Sequence, residues 1–171
     1  MSAVGNEDAS APAGAVAERM PLSGVLAAWG PVGLWMAVIF LLSTDQFSEA
    51  NTAAWITAIP LIGAFGPSPA HIQAGNLIVR KCAHFVEYAI LSMLTFRALR
   101  ASRPRLRARR LLALAVLIAA VYASVDELHQ WLGTQSRTGS PLDVLLDTFG
   151  ALAGAVVGAT YLYRHTQRSA A

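Results

Sequence analysis

Four apolar stretches follow one another along this chain, separated by polar segments. The first, Leu22–Leu42, carries no charged residue and is long enough to cross a hydrocarbon core of roughly 30 Å as a helix. Three more, at about 77–99, 111–131 and 142–162, are apolar apart from a small number of ionisable residues. The pattern predicts an all-α integral membrane protein, a four-helix bundle whose transmembrane domain covers residues 21–165.

The first of the segments outside these stretches has no apolar period. Residues 1–20 are rich in alanine, serine, glycine and proline, which predicts a disordered N-terminal tail. Residues 166–171 are predicted to form a short C-terminal tail. Between the first two stretches, aromatic and branched residues at about 55–65 predict a short helix in the membrane interface.

The fourth stretch carries a glycine at every fourth position, at Gly150, Gly154 and Gly158. Small residues at this spacing form one face of a helix and let another helix approach closely. We therefore expect a close helix–helix contact along this face.

The composition supports a membrane protein over a soluble one. Hydrophobic residues make up 55% of the chain and charged residues 13%, whereas soluble domains carry roughly 25% charged residues. A soluble protein of this composition would lack the polar side chains needed to cover its surface. Cys82 is the only cysteine, which excludes an internal disulfide.

The positive charges indicate the orientation. Arginines are concentrated between the second and third stretches, at Arg97, Arg100, Arg103, Arg105, Arg107, Arg109 and Arg110. Short loops rich in arginine stay in the cytoplasm, so four spans place both the N-terminus and the C-terminus there. We expect a multi-pass protein of the bacterial plasma membrane, with membrane lipids as partners of these arginines and no nucleic acid as a partner.

Ionisable side chains recur at one depth on three of the predicted helices. Lys81 lies about 16 residues from Arg97, and Asp126 about 16 residues from Arg110, which is about 24 Å along a helix. Asp147 lies at a similar distance from Arg164 on the fourth helix. The sequence therefore predicts a polar layer in the outer part of the membrane, away from the arginines.

Helical spacing predicts that these groups share an interior. The second helix has Lys81, His84 and Tyr88 at i, i+3 and i+7, and the third and fourth show similar spacings. Lipid exposure would cost about 2.5–3.5 kcal/mol for each charged group. Two interpretations follow: an outward-facing functional pocket, or a buried ion-pair network that only holds the bundle together.

Two sequence blocks resemble the VanZ-like family. The first is Lys81-Cys-Ala-His-Phe-Val-Glu-Tyr-Ala-Ile-Leu91, and the second is Ser124-Val-Asp-Glu-Leu-His-Gln130, followed by Arg137, Asp143, Asp147 and Gly150. Ser43-Thr44 resembles the small polar pair that the family carries after its first span. The chain differs at Gln135-Ser136, where the family often has Pro-Gly, and at Asp147, where it often has asparagine. The resemblance implies a small membrane protein, and the family's namesake is associated with low-level resistance to the glycopeptide teicoplanin.

One hypothesis is an enzyme acting on a lipid-linked or cell-envelope substrate. A histidine would serve as general acid or base, because imidazole titrates near neutral pH, and Asp126 or Glu127 would orient it. Lys81 and Arg137 would hold a phosphate or carboxylate of the substrate. The predicted catalytic residues are His84, Asp126, Glu127 and His129. The predicted substrate-binding residues are Lys81, Tyr88, Gln130, Arg137, Asp143 and Asp147.

The sequence assigns no cofactor and no metal, since the spacing matches no standard metal motif. A divalent-metal variant is the weaker alternative, with His84, Glu87, Glu127, His129 and Asp143 as candidate ligands. Two other classes stay open. One is a non-catalytic binder of an anionic lipid or an amphiphilic antibiotic, and the other is a small transporter, which is weaker because transporter sites lie near the membrane midplane. The sequence leaves the oligomeric state open.

Overall fold

The structure is a computed structural model that describes residues 20–44, 68–133 and 140–169. Within these ranges the chain forms four α-helices and no strand, which confirms the predicted all-α fold. The helices are α1 (Leu22–Leu42), α2 (Pro69–Ser102), α3 (Ala108–Gly133) and α4 (Pro141–Ser169). The predicted interfacial helix, Arg137 and all but the last residue of the predicted N-terminal tail lie outside the described residues.

Three of these helices are long and apolar enough to cross a membrane: Leu22–Leu42, Ala108–Leu132 and Pro141–Arg164. The predicted second span lies within α2. Because this helix carries several charged residues, it is less apolar than the other three. Large apolar side chains such as Leu34, Leu128 and Phe149 point outward from the bundle. Such a surface suits contact with lipid rather than with water.

Two helices extend beyond the predicted spans. Helix α2 begins at Pro69 rather than at 77, because Ser68 caps it by accepting a hydrogen bond from the His71 backbone N–H, and Pro69 occupies the first turn. Helix α4 continues to Ser169, through residues predicted to start the C-terminal tail. Helical hydrogen bonds do not require apolar side chains, so hydropathy underestimates both lengths.

The most extensive helix–helix contact in the bundle joins α2 and α4. A Cβ atom at Gly150 would collide with the Phe85 carbonyl oxygen, and one at Gly154 with the Ala89 carbonyl oxygen. At Gly158 it would lie 3.1 Å from the Met93 side chain. The glycine repeat therefore sets how closely these two helices approach, as its spacing predicted.

Helix α1 is held to the bundle by hydrogen bonds from three aromatic side chains. Trp29 Nε1 donates to Ser102 Oγ at 2.8 Å, and Trp35 Nε1 donates to the Glu87 carbonyl at 2.9 Å. Tyr122 Oη donates to the Met36 carbonyl at 2.6 Å. These bonds tie α1 to both α2 and α3.

Candidate functional site

Polar side chains from all four helices meet at the end of the bundle opposite the α2–α3 connection and its arginines. Helix α1 contributes Ser43 at its C-terminus, and the other helices contribute charged or amide side chains. We call this set the polar cluster: Ser43, Arg80, Lys81, His84, Asp126, Glu127, Gln130, Asp143 and Asp147.

Asp126 is the centre of a hydrogen-bond network that joins three helices. Its Oδ2 atom accepts from Ser43 Oγ at 2.8 Å and from Gln130 Nε2 at 2.9 Å. Arg80 in turn donates from Nη2 to Gln130 Oε1 at 3.2 Å. Asp126 and Gln130 are buried. The network therefore fixes the relative positions of α1, α2 and α3 at this end.

Lys81 and Asp143 form an ion pair between α2 and α4. The Lys81 side chain is 42% exposed and that of Asp143 18%, so the pair lies at the rim of the cluster. Beside it is a small pocket of about 30 Å³, lined by Leu77, Arg80, Lys81, His84, Asp143 and Leu146. Arg80 and Lys81 outnumber the one carboxylate of this pocket, Asp143, and this excess of positive charge suits an anionic group.

His84, Glu127 and Asp147 form a buried trio with one residue from each of α2, α3 and α4. Their ligand-type atoms lie within 4.8 Å of one another, and His84 Nδ1 is 3.5 Å from Asp147 Oδ1. Glu127 Oε2 accepts a hydrogen bond from the Ser140 backbone N–H at 2.7 Å. In the described part of the chain, His84 Nδ1, Glu127 Oε1 and both Asp147 oxygens have no hydrogen-bond partner.

An open groove of about 350 Å³ runs between α3 and α4. Leu128, Trp131, Pro141 and Val144 line it, together with Glu127. Glu127 borders this groove and also belongs to the trio, so the groove lies beside one of the buried carboxylates.

Most of the predicted site residues lie together. Lys81, His84, Asp126, Glu127, Gln130, Asp143 and Asp147 are all in the polar cluster. Tyr88 is fully buried one turn along α2 from His84, with its ring 6.4 Å from that of Tyr122. His129 lies instead against Phe40 of α1, with ring centroids 4.9 Å apart. The predicted role of Arg137 falls outside the described residues.

The sequence assigned no role to Arg80, which contacts Gln130, and it gave Ser43 no partner. Both contacts depend on how helices cross, which spacing within one helix does not reveal. The geometry also changes the set of candidate metal ligands. Of the residues that the sequence suggested, only His84 and Glu127 belong to the trio, and its third member is Asp147. One signal was available for Asp147: it follows Asp143 by one helical turn, on the same face.

Comparison with known proteins gives one family. The model of the family described as VanZ/LLP1 matches residues 28–162, which covers all of α2 and α3 and most of α1 and α4. No curated protein and no solved structure matches the chain.

Proposed function

The chain belongs to the VanZ/LLP1 family, and from this premise we propose that it is a membrane enzyme acting on the anionic headgroup of a lipid-linked cell-envelope substrate. The polar cluster is its active site. The charge distribution supports a multi-pass protein of the bacterial plasma membrane, with the cluster on the side away from the cytosol.

The observation that carries this proposal is the buried trio with its unpaired atoms. Buried polar groups are nearly always hydrogen-bonded, because leaving one unpaired costs about 1–3 kcal/mol. In the described residues, His84, Glu127 and Asp147 together leave four such atoms at one place. His84 Nδ1 and Asp147 Oδ1 face each other at 3.5 Å, but Glu127 Oε1 and the second Asp147 oxygen have no such contact among the described residues. A purely structural network would give both oxygens a donor within the protein, whereas an active site leaves them to meet a substrate or water.

The two cations of the pocket favour a phosphate as the anionic group. Arg80 and Lys81 line the same pocket as His84, and guanidinium and ammonium groups are the usual phosphate contacts in proteins. The partial exposure of Lys81 lets an anion reach it from the rim, in exchange for Asp143. The apolar groove beside Glu127 suits the lipid part of the same substrate.

The proposed reaction is hydrolysis of a phosphate ester. A water oxygen attacks phosphorus while its proton passes to His84 Nε2, so that an O–P bond forms. The bond between phosphorus and the leaving oxygen breaks, and His84 returns the proton to that oxygen. Asp147 Oδ1, 3.5 Å from His84 Nδ1, stabilises the imidazolium that forms in between.

The test is turnover by the purified full chain in nanodiscs made from a bacterial envelope lipid extract, followed by mass spectrometry of released headgroups. We expect His84→Ala to lower the rate by about 100-fold or more, as the loss of a general base does. His71→Ala is the matched control, because His71 is an exposed histidine of the same helix. Headgroup release by His84→Ala at the wild-type rate would refute the proposal.

A non-catalytic binder is the second candidate, favoured by the placement of both cations in one pocket. Binding by such a protein depends on the positive charges of the pocket and not on proton transfer by His84. Expression in a teicoplanin-susceptible host separates the two, with the inhibitory concentration of teicoplanin as readout. A binder that contributes to resistance would keep its effect in His84→Gln and lose it in Lys81→Ala, whereas an enzyme would lose it in both.

A further inference from the structure

We propose that His84, Glu127 and Asp147 bind a divalent metal ion, with zinc as the best match to these ligands. The site goes beyond the proposed function, because a metal can bind here whether or not the cluster is catalytic. Each ligand comes from a different helix, so the ion would join α2, α3 and α4 at the polar end of the bundle.

The distances suit a common coordination sphere. Ligand atoms around a tetrahedral zinc, with bonds of about 2.0–2.2 Å, lie about 3.4 Å apart. The His84 Nδ1 to Asp147 Oδ1 distance is 3.5 Å, and all three ligand atoms are within 4.8 Å of one another. The three atoms are therefore close enough that small side-chain shifts would bring the set to bonding distance.

The three side chains are buried and unsatisfied where a metal would lie. His84 is 6% exposed, Glu127 5% and Asp147 0%. Among the described residues, each of the three has a possible ligand atom without a hydrogen-bond partner: His84 Nδ1, Glu127 Oε1 and both Asp147 oxygens. The second oxygen of Glu127 is held by the Ser140 backbone N–H at 2.7 Å, which is the outer-shell contact that orients a metal-binding carboxylate.

The charge balance also points to a cation. Within the described residues, the polar cluster has four carboxylates, at Asp126, Glu127, Asp143 and Asp147, against the cations Arg80 and Lys81. Lys81 pairs with Asp143, and Arg80 donates to Gln130 on the Asp126 side. Glu127 and Asp147 keep no cationic partner other than a protonated His84, and a divalent ion would neutralise both of them.

The donor set selects among metals. Imidazole favours zinc and other transition metals, whereas carboxylates alone favour magnesium, calcium and manganese. One imidazole with two carboxylates therefore suits zinc, with manganese as the nearest competitor. Three protein ligands leave a fourth position for water, which is the arrangement of catalytic rather than structural zinc sites.

The metal would also change the proposed reaction. His84, Glu127 and one oxygen of Asp147 would hold the ion, which would supply a water activated for attack. The second Asp147 oxygen would be left to accept and return a proton, in place of His84 Nε2.

The experiment measures metal binding without substrate. The full chain is purified in nanodiscs, stripped with chelator and dialysed against ZnCl₂. Bound zinc is then measured by mass spectrometry, affinity by isothermal titration, and thermal stability with and without the ion. We expect about one zinc per chain and a higher melting temperature with zinc. Glu127→Gln, Asp147→Asn and His84→Ala should each lower the affinity by more than the 10–100-fold typical of losing an outer-shell contact.

Two control variants account for adventitious zinc. Cys82→Ser and His71→Ala remove exposed groups that bind zinc on any protein surface, and both should keep one ion per chain. Wild-type protein that binds no zinc, or trio variants that bind it like the wild type, would overturn the site. Glu127→Gln keeps the shape of the side chain, so its loss of zinc at an unchanged apo melting temperature cannot arise from unfolding.

The outcomes separate this site from the proposed function. Zinc binding without headgroup release would support the metal site and refute the proposed enzyme. Headgroup release that depends on His84, by a wild-type protein that binds no zinc, would support the enzyme and refute the metal site.

Discussion

At the scale of single residues, the buried Asp126 shows how a carboxylate is kept inside the bundle. Two donors share its Oδ2 atom, one from Ser43 on α1 and one from Gln130 on its own helix. Hydrogen bonds to charged groups are stronger than those between neutral groups. Ser43 therefore does more than end α1: it links that helix to the polar cluster.

Replacing Ser43 tests this link. Ser43→Ala removes one donor from a buried carboxylate, and we expect a loss of about 1 kcal/mol in the free energy of unfolding. Denaturant titration of the protein in mixed micelles measures it. Ser124→Ala is the control, because that exposed hydroxyl donates only to the Ala120 carbonyl of its own helix. Equal stability of the two variants would show that the Ser43–Asp126 bond contributes little.

Much of the cluster was predictable at this scale, because helix depth and facing follow from residue spacing. Counting residues from the arginines placed Lys81, Asp126 and Asp147 at one depth along their helices. In the structure all three belong to the polar cluster. The partner of each side chain was not predictable. Whether Arg80 reaches Gln130, or Asp147 faces His84 rather than an arginine, is decided by the crossing of two helices.

At the scale of elements, the α2–α4 contact depends on glycine. A Cβ at Gly154 would meet backbone atoms of Ala89, which cannot rotate away as a side chain end can. The sequence repeat predicted a close contact on this face, and the structure identifies α2 as the partner. This contact also brings His84 and Asp147 together, because His84 lies on α2 and Asp147 on α4.

A pair of glycine variants tests the contact. Gly154→Ala should lower the free energy of unfolding by about 1–3 kcal/mol, since overpacking forces the helices apart. Gly33→Ala is the matched control in α1, where an added Cβ would meet nothing within 4 Å. There the higher helix propensity of alanine should leave stability unchanged or raise it. Thermal unfolding of both proteins in the same detergent gives the comparison, and a harmless Gly154→Ala would contradict the packing described.

Helix boundaries were less predictable than helix existence. Hydropathy locates the apolar core of each helix, and all four cores lie within helices of the structure. It does not register the polar first turns of α2, which depend on the Ser68 cap and Pro69. The polar end of α4 was missed for the same reason, because its backbone continues the helix after the apolar residues stop.

At the scale of the whole molecule, charge divides the bundle into two ends. The connection between α2 and α3 carries the arginines, and the opposite end carries the polar cluster with its carboxylates. Positive charge held in the cytoplasm would place the cluster at the outer face. The proposed substrate depends on this orientation, because a cell-envelope headgroup in the outer leaflet reaches the cluster only from that side.

Site-directed labelling decides the orientation. In a Cys82→Ser background, His71→Cys places a thiol at the start of α2 and Arg105→Cys places one in the arginine-rich connection, both at exposed positions. In intact cells, a membrane-impermeant maleimide should label the cysteine at position 71. The cysteine at position 105 should react only after permeabilisation, because an arginine-rich connection of this kind is expected to stay on the cytoplasmic side, beside anionic lipids. The reverse pattern would put the polar cluster in the cytosol, where His84 and Asp147 could act only on substrates of the inner leaflet.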